Sequence, residues 1–421
     1  MNKRKRNLAI CLLLIVLTGS WGCGRNAVDQ ASQGLQTDEA VTAKSSDEKE
    51  KTDRDPVSGK SDDKTEKHEL AGLVYQDSEE LSYAENFTVD HYEGGYTLLT
   101  VIPDEKQYLL VPKNGEIPKD LPEEMTVIRQ PVQNIYLVAS AVMDLFDALD
   151  GLDSIAFSGQ KEENWYIDSA RQAMAEGRMI YAGKYSKPDY ELLVAKGCTL
   201  AIENRMILHT PEVLEKLETF QIPAIVECSS YESHPLGRVE WIKFWGALLD
   251  KEKEAKQIFE KQNELLNQAT SAENTGKTVA FFYITSNGMI QVRQSSDYVP
   301  KMIELAGGTY IFKDLGDEDS KRSTVNMQLE DFYDAAKDAD YLIYNSAIDG
   351  GVTSVEELLK KCGVLKDFKA VKEGNVWCTS QDLYQQTLSI GYLILDIHGM
   401  LTGEAEEKMN YLFRCRDTTA K

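Results

Sequence analysis

Residues 239–270 read VEWIKFWGALLDKEKEAKQIFEKQNELLNQAT. Val239, Ile242, Trp245, Leu248 and Leu249 fall on one helical stripe, and Ile258, Phe259, Leu265 and Leu266 continue it. The stretch has no proline and a single glycine, Gly246. It predicts one long helix over 239–272, able to bend at the charged run Asp250-Lys251-Glu252-Lys253. The chain on either side alternates strands with helices. Before it come Asn134–Ala139 (strand), Ala141–Leu149 (helix), Ser154–Ser158 (strand), Tyr190–Ala195 (helix), Thr199–Ile202 (strand), Pro211–Phe220 (helix) and Ala224–Glu227 (strand). After it come strands at Thr278–Ile284, Met289–Arg293, Tyr341–Tyr344 and Val376–Thr379. They are interleaved with helices at Tyr298–Ala306, Leu329–Ala336, Val355–Lys361 and Ile390–Leu401. Short apolar strands between helices call for parallel sheets covered on both faces. The fold class is therefore α/β, with two lobes, 126–238 and 273–417, joined by one long helix.

Residues 71–125 do not follow this rhythm. Phe87–Asp90, Tyr96–Val101 and Tyr108–Val111 read as strands, with Gly94-Gly95 as a hairpin turn. This region is an N-terminal strand-rich addition.

Upstream, residues 1–22 have the order of an export signal: the basic Lys3-Arg4-Lys5-Arg6, the apolar Leu8–Leu17, then the small residues of Thr18-Gly19-Ser20-Trp21-Gly22. The apolar run is far short of the roughly 20 residues a spanning helix needs. The segment ends at Cys23 and resembles the lipobox of bacterial lipoproteins, which implies a diacylated thiol and a stable anchor. Residues 23–70 are polar and nearly free of large apolar side chains, so they read as a disordered tether. The implied location is the outer face of a cell membrane.

The chain has 421 residues, room for two sizeable cores, and a formal charge of −23. That balance argues against nucleic acid, which needs a basic surface. Cys198, Cys228, Cys362, Cys378 and Cys415 remain beyond the signal and Cys23, an odd, scattered set read as small buried apolar residues. There is no GxSxG, HExxH or GxGxxG motif, so no catalysis is expected and no resident cofactor or metal is implied.

Six stretches in order resemble the solute-binding proteins of ABC importers for ferric siderophores, heme and cobalamin. They are Asn134–Leu149, Tyr181-Ala182-Gly183 with Pro188–Leu193, Lys216–Ile225, Met302–Gly308 (MIELAGG), Val325–Tyr344 and Ala370–Trp377 (AVKEGNVW). The resemblance covers Val127 to Gly403. It implies a monomer with a ligand cleft between lobes, a metal chelate as ligand with a ferric siderophore favoured, and delivery to an ABC permease. A heme or cobalamin carrier, or a surface enzyme or sensor on the same fold, are the alternatives.

Open α/β sheets bind at the C-terminal ends of their strands. On the first lobe this selects Ser140, Trp165, Tyr166, Glu203, Asn204, Arg205 and the loop Tyr231-Glu232-Ser233-His234; on the second, Asn287, Arg293, Asn345, Gln381 and Tyr384. Trp165 and Tyr166 suit a flat or aromatic ligand. Arg205 and Arg293 suit carboxylates or an anionic iron complex. His234 suits an axial metal position, and with His209 a bare metal ion. By resemblance, Glu191 and Glu330 are the acidic residues, one per lobe, that dock on the permease.

Overall fold

The computed structural model describes residues 70–270, 274–316, 323–404 and 406–416. The export segment, Cys23 and the tether up to residue 69 lie outside the described residues. Leu70 is buried and bridges to Leu73.

Five strands come first: β1 (Tyr75–Ser78), β2 (Phe87–Tyr92), β3 (Tyr96–Val101), β4 (Lys106–Val111) and β5 (Thr126–Arg129). They pair in sequence order, antiparallel except that β5 lies parallel to β4. Gly94 and Gly95 turn the β2–β3 hairpin at φ +83° and +80°, a conformation glycine adopts without steric cost. The expected boundary at 125/126 is corrected, because Thr126–Arg129 pairs with Tyr108–Val111 and completes this sheet. Phe87, Val89, Leu99, Leu110 and Ile128 join the main core, while Tyr92, Leu98, Leu109 and Val111 pack around Leu70.

The first lobe contains β6 (Ile135–Leu137), α1 (Ser140–Ala148), β7 (Ile155–Ser158), α2 (Asp168–Ala175), β8 (Ile180–Tyr181) and the small hairpin β9 (Gly183–Lys184) and β10 (Lys187–Pro188). It continues with α3 (Tyr190–Ala195), β11 (Leu200–Glu203), α4 (Pro211–Thr219) and β12 (Ala224–Val226). Its parallel sheet has the order β12-β11-β6-β7-β8. The order reverses between β6 and β11, which opens a crevice at their C-terminal ends.

The crossing between lobes differs from the single long helix expected. It is two helices, α5 (Pro235–Leu249) and α6 (Glu252–Thr270), because Asp250 enters the left-handed region at φ +59°. The Lys251 N–H closes the turn on the Gly246 carbonyl at 2.7 Å. The chain then folds back, placing Gly246 against Ala255 and the Lys243 ammonium 4.8 Å from the Phe259 ring centroid. A Cβ at position 246 would lie 2.5 Å from the Ala255 Cβ, so the lone glycine permits the close approach. Helix α5 is buried almost all round, including Arg238, Glu240 and Lys243.

The second lobe runs β13 (Thr278–Ile284), β14 (Ile290–Arg293), α7 (Tyr298–Leu305), β15 (Thr309–Tyr310), β16 (Thr324–Met327), α8 (Leu329–Ala336) and β17 (Tyr341–Tyr344). It ends with α9 (Val355–Lys361), α10 (Lys369–Glu373), β18 (Val376–Thr379), α11 (Ile390–Thr402) and β19 (Leu412–Arg414). The sheet order is β16-β14-β13-β17-β18-β19, with β15 beside β13. Its centre is parallel as expected, and β14, β16 and β19 add antiparallel edges. One buried apolar cluster runs from the N-terminal sheet through α5 and α6 into both lobes.

Two buried carboxylates bind the N-terminal sheet to α5. Glu240 accepts the backbone N–H groups of Ser82, Tyr83 and Ala84 at 2.8–3.0 Å and the Lys243 ammonium at 2.9 Å. Glu232 accepts the N–H groups of Glu85 and Asn86, and Trp241 Nε1–H at 2.8 Å. The segment between β1 and β2 is thus a strap whose orphan donors are satisfied by Glu240 on α5 and by Glu232 just before it.

Candidate functional site

The loop that follows β18, residues 380–389, sends side chains and backbone across to the first lobe. Five hydrogen bonds join the lobes there among the described residues. Tyr166 N–H donates to Gln385 Oε1 at 2.8 Å, Gln385 Nε2 to the Asn164 carbonyl at 2.7 Å, and the Tyr166 hydroxyl to Gln381 Oε1 at 2.9 Å. At the start of α1, Thr387 Oγ1 donates to the Ala141 carbonyl at 2.8 Å and Leu388 N–H to Asp144 Oδ2 at 2.7 Å. Ser140, the first residue of α1, sits at this seam. Burial, with Asp147 and Asp382 adding repulsion, pushes the Asp144 carboxyl up to about 6.

Behind the seam three expected residues meet. The Tyr384 hydroxyl accepts from Asn345 Nδ2 at 2.7 Å and from Arg293 Nη2. Arg293 also pairs with Asp297 at 3.4 Å. Burial opposes the charge on Arg293, but Tyr384 and Asp297 outweigh it, so the guanidinium stays protonated. On the far side, Arg238 of α5 lies 4.1 Å from the Tyr298 ring centroid, and Arg293 lies 5.8 Å from the same ring. Two guanidinium groups and one carboxylate make this pocket of side chains net cationic.

The other expected residues lie elsewhere. Trp165 turns inward, 2% exposed, and donates Nε1–H to Ser158 Oγ at 3.0 Å; Tyr166, 46% exposed, turns outward. Arg205 pairs with Asp104 of the N-terminal sheet, and its guanidinium lies 5.1 Å from the Tyr231 ring centroid. Asn204 accepts from Met206 N–H at 2.9 Å as a cap. His234 caps α5 by accepting from Leu236 N–H and stacks on Tyr83 with centroids 4.4 Å apart; burial lowers its pKa to about 4, so it is neutral at pH 7. No group of three or more His, Cys, Asp or Glu residues is placed to hold a metal ion among the described residues. Asn287 is exposed and shapes the β13–β14 turn by accepting from Thr285 Oγ1. Glu191 and Glu330 are exposed, each the second residue of its helix, α3 and α8.

Sequence reading passed over Asp144, Arg238, Gln385 and Thr387. A charged Arg238 inside the apolar run of α5 is a signal, since a buried charge needs a reason. Gln385 carries no such signal; its role depends on where the other lobe lies. Glu203, at the end of β11, is fully buried with neither carboxyl oxygen hydrogen-bonded, and burial alone pushes it up to about 8.

The fold defines the class. The chain has the fold of two-lobed periplasmic binding proteins. The heme-binding protein HutB of Vibrio cholerae matches with a TM-score of 0.51 at 16% identity, over 62% of this chain and 97% of that one. An ABC-type Fe3+-hydroxamate transport system protein of Saccharomonospora viridis matches with a TM-score of 0.50 at 19% identity, over 64% and 93%. By sequence, an uncharacterized lipoprotein of Methanocaldococcus jannaschii is 28% identical over 355 residues, 77% of this chain and 82% of the relative. No family model matches the chain.

Proposed function

We propose that this chain is an extracytoplasmic solute-binding protein, held to the membrane through a lipid on Cys23. It captures a metal chelate between its lobes and hands it to an ABC permease. The observation that carries the reading is the seam itself. Tyr166, Gln381 and Gln385 join the lobes beside the Arg293–Tyr384–Asn345 cluster, whose Asn345 and Tyr384 follow the C-terminal ends of β17 and β18. Guanidinium groups beside tyrosine rings suit an anionic, oxygen-rich complex, and a ferric siderophore has that chemistry. The engagement of His234 as a helix cap favours this over a heme or corrinoid that needs an axial imidazole. The ligand must part the seam, at about 1 kcal/mol per net hydrogen bond. The fold resemblance to binding proteins supports a carrier.

Trp165 reports on the seam from beneath Tyr166. Fluorescence titration of the chain lacking its export segment, with absorbance-corrected ferric siderophores, heme, cobalamin and zinc, is expected to saturate with one ferric siderophore alone. Saturation by heme or cobalamin alone reassigns the cargo, and no response to any of them overturns the reading. Glu191→Lys and Glu330→Lys should abolish uptake while titration is unchanged. Uptake that survives both reversals removes the docking assignment.

A further inference from the structure

All five described cysteines are buried with free thiols, but two of them are not isolated. Cys378 lies on β18 and Cys415 follows β19, the edge strand that pairs antiparallel with it. Cys378 sits opposite Phe413, and the Cys415 N–H donates to the Val376 carbonyl at 2.8 Å. Residues two apart on a strand share a face, so Cys378 and Cys415 are diagonal neighbours on one face of the sheet. Their proximity pulls the two thiols apart in acidity, Cys415 lowering the Cys378 pKa and Cys378 raising that of Cys415.

We infer that Cys378 and Cys415 are a disulfide-forming pair that staples the last strand of the chain to the second lobe. The chemistry needs a disulfide oxidant, such as glutathione disulfide or a thiol–disulfide oxidoreductase. The Cys378 thiolate attacks one oxidant sulfur and expels a thiolate; the Cys415 thiolate then attacks the mixed disulfide at the Cys378 sulfur and expels the second. Two protein thiols lose two protons and two electrons, and the oxidant is reduced to two thiols. Both sulfurs are buried in the folded chain, so the bond forms as the lobe folds. The loop it closes holds Gln381, Tyr384, Gln385 and α11, which are the seam residues and the helix packed against α6. In an oxidising compartment the bond would anchor that loop at both ends, and this last step rests on the extracytoplasmic reading.

The test refolds the full chain in a glutathione redox buffer, unfolds it in guanidinium chloride with an alkylating reagent and no reductant, and maps the peptides by mass. The expected result is a Cys378–Cys415 cross-linked peptide lighter by two hydrogens, with Cys198, Cys228 and Cys362 alkylated. Alkylation of Cys378 and Cys415 to the same extent as Cys198 overturns the pairing. Dithiothreitol should lower the melting temperature of the oxidised chain by roughly 5 °C and leave Cys415→Ser unmoved. An equal response in both also overturns it. The same mapping on protein taken from the membranes of producing cells separates the two readings. A bond that forms in glutathione but is missing there supports the pair and counts against the exported location.

Discussion

The Tyr166 hydroxyl of the first lobe donates to Gln381 Oε1 of the second at 2.9 Å, while the neighbouring Trp165 is sealed inside the first lobe. Two adjacent aromatics, alike in sequence, therefore have opposite duties. Tyr166→Ala should weaken binding of the proposed chelate about tenfold and cost under about 1 kcal/mol of stability, since the ring is half-exposed. Trp165→Ala should instead cost about 3–5 kcal/mol, the penalty for emptying a core site. Paired titration and urea unfolding of the two variants check this; equal stability losses would refute the division of roles.

Arg205 pairs with Asp104 across the junction between the first lobe and the N-terminal sheet. Arg205→Ala should lower stability by about 1–2 kcal/mol, because the partner carboxylate is left largely covered. Ligand affinity should stay within about twofold. A large affinity loss with unchanged stability would return Arg205 to the binding surface.

Glu240 holds three backbone donors of the strap and the Lys243 ammonium. Glu240→Ala leaves the three part-buried backbone donors unpaired, while Lys243 keeps Glu79 and the Glu80 carbonyl, and should cost about 2–4 kcal/mol, read as a shift in denaturation midpoint. Glu240→Gln keeps part of the acceptor and should cost less. A variant that unfolds like the parent would mean that the strap contributes nothing.

Asp144 titrates at about 6 in the folded chain against an ordinary value of 3.8. The folded form therefore holds more protons than the unfolded form between these values, and stability falls as pH rises through about 4 to 6. The effect amounts to about 3 kcal/mol at most. Asp144→Asn keeps an acceptor for Leu388 N–H and should flatten that slope, measured as melting temperature against pH. An unchanged slope would show that Asp144 is solvated like a surface carboxylate.

Much of the architecture was legible in the residues themselves. Phe87–Tyr92 and Tyr96–Val101 are strand-forming runs hinged on Gly94-Gly95, and they fold as that pattern demands. The α/β alternation placed Ser140, Arg293, Asn345 and Tyr384 at or beside strand ends, where the structure brings them to or behind the seam. Reading α5 and α6 as one helix failed because helical periodicity does not register a single left-handed residue. Asp250 turns the chain there, and Gly246 lets the returning helix pack.

Local chemistry along the chain sets where strands and helices form, which faces are apolar, and the net charge of −23. Which polar groups face one another is set by the packing of whole elements. Arg205 was claimed by Asp104, 101 residues earlier in the chain, and Tyr166 by Gln381, 215 residues later. Such pairs leave no periodic trace, because a side chain's partner is set by how whole elements pack, and that packing is driven by burial of the apolar core rather than by the pair itself.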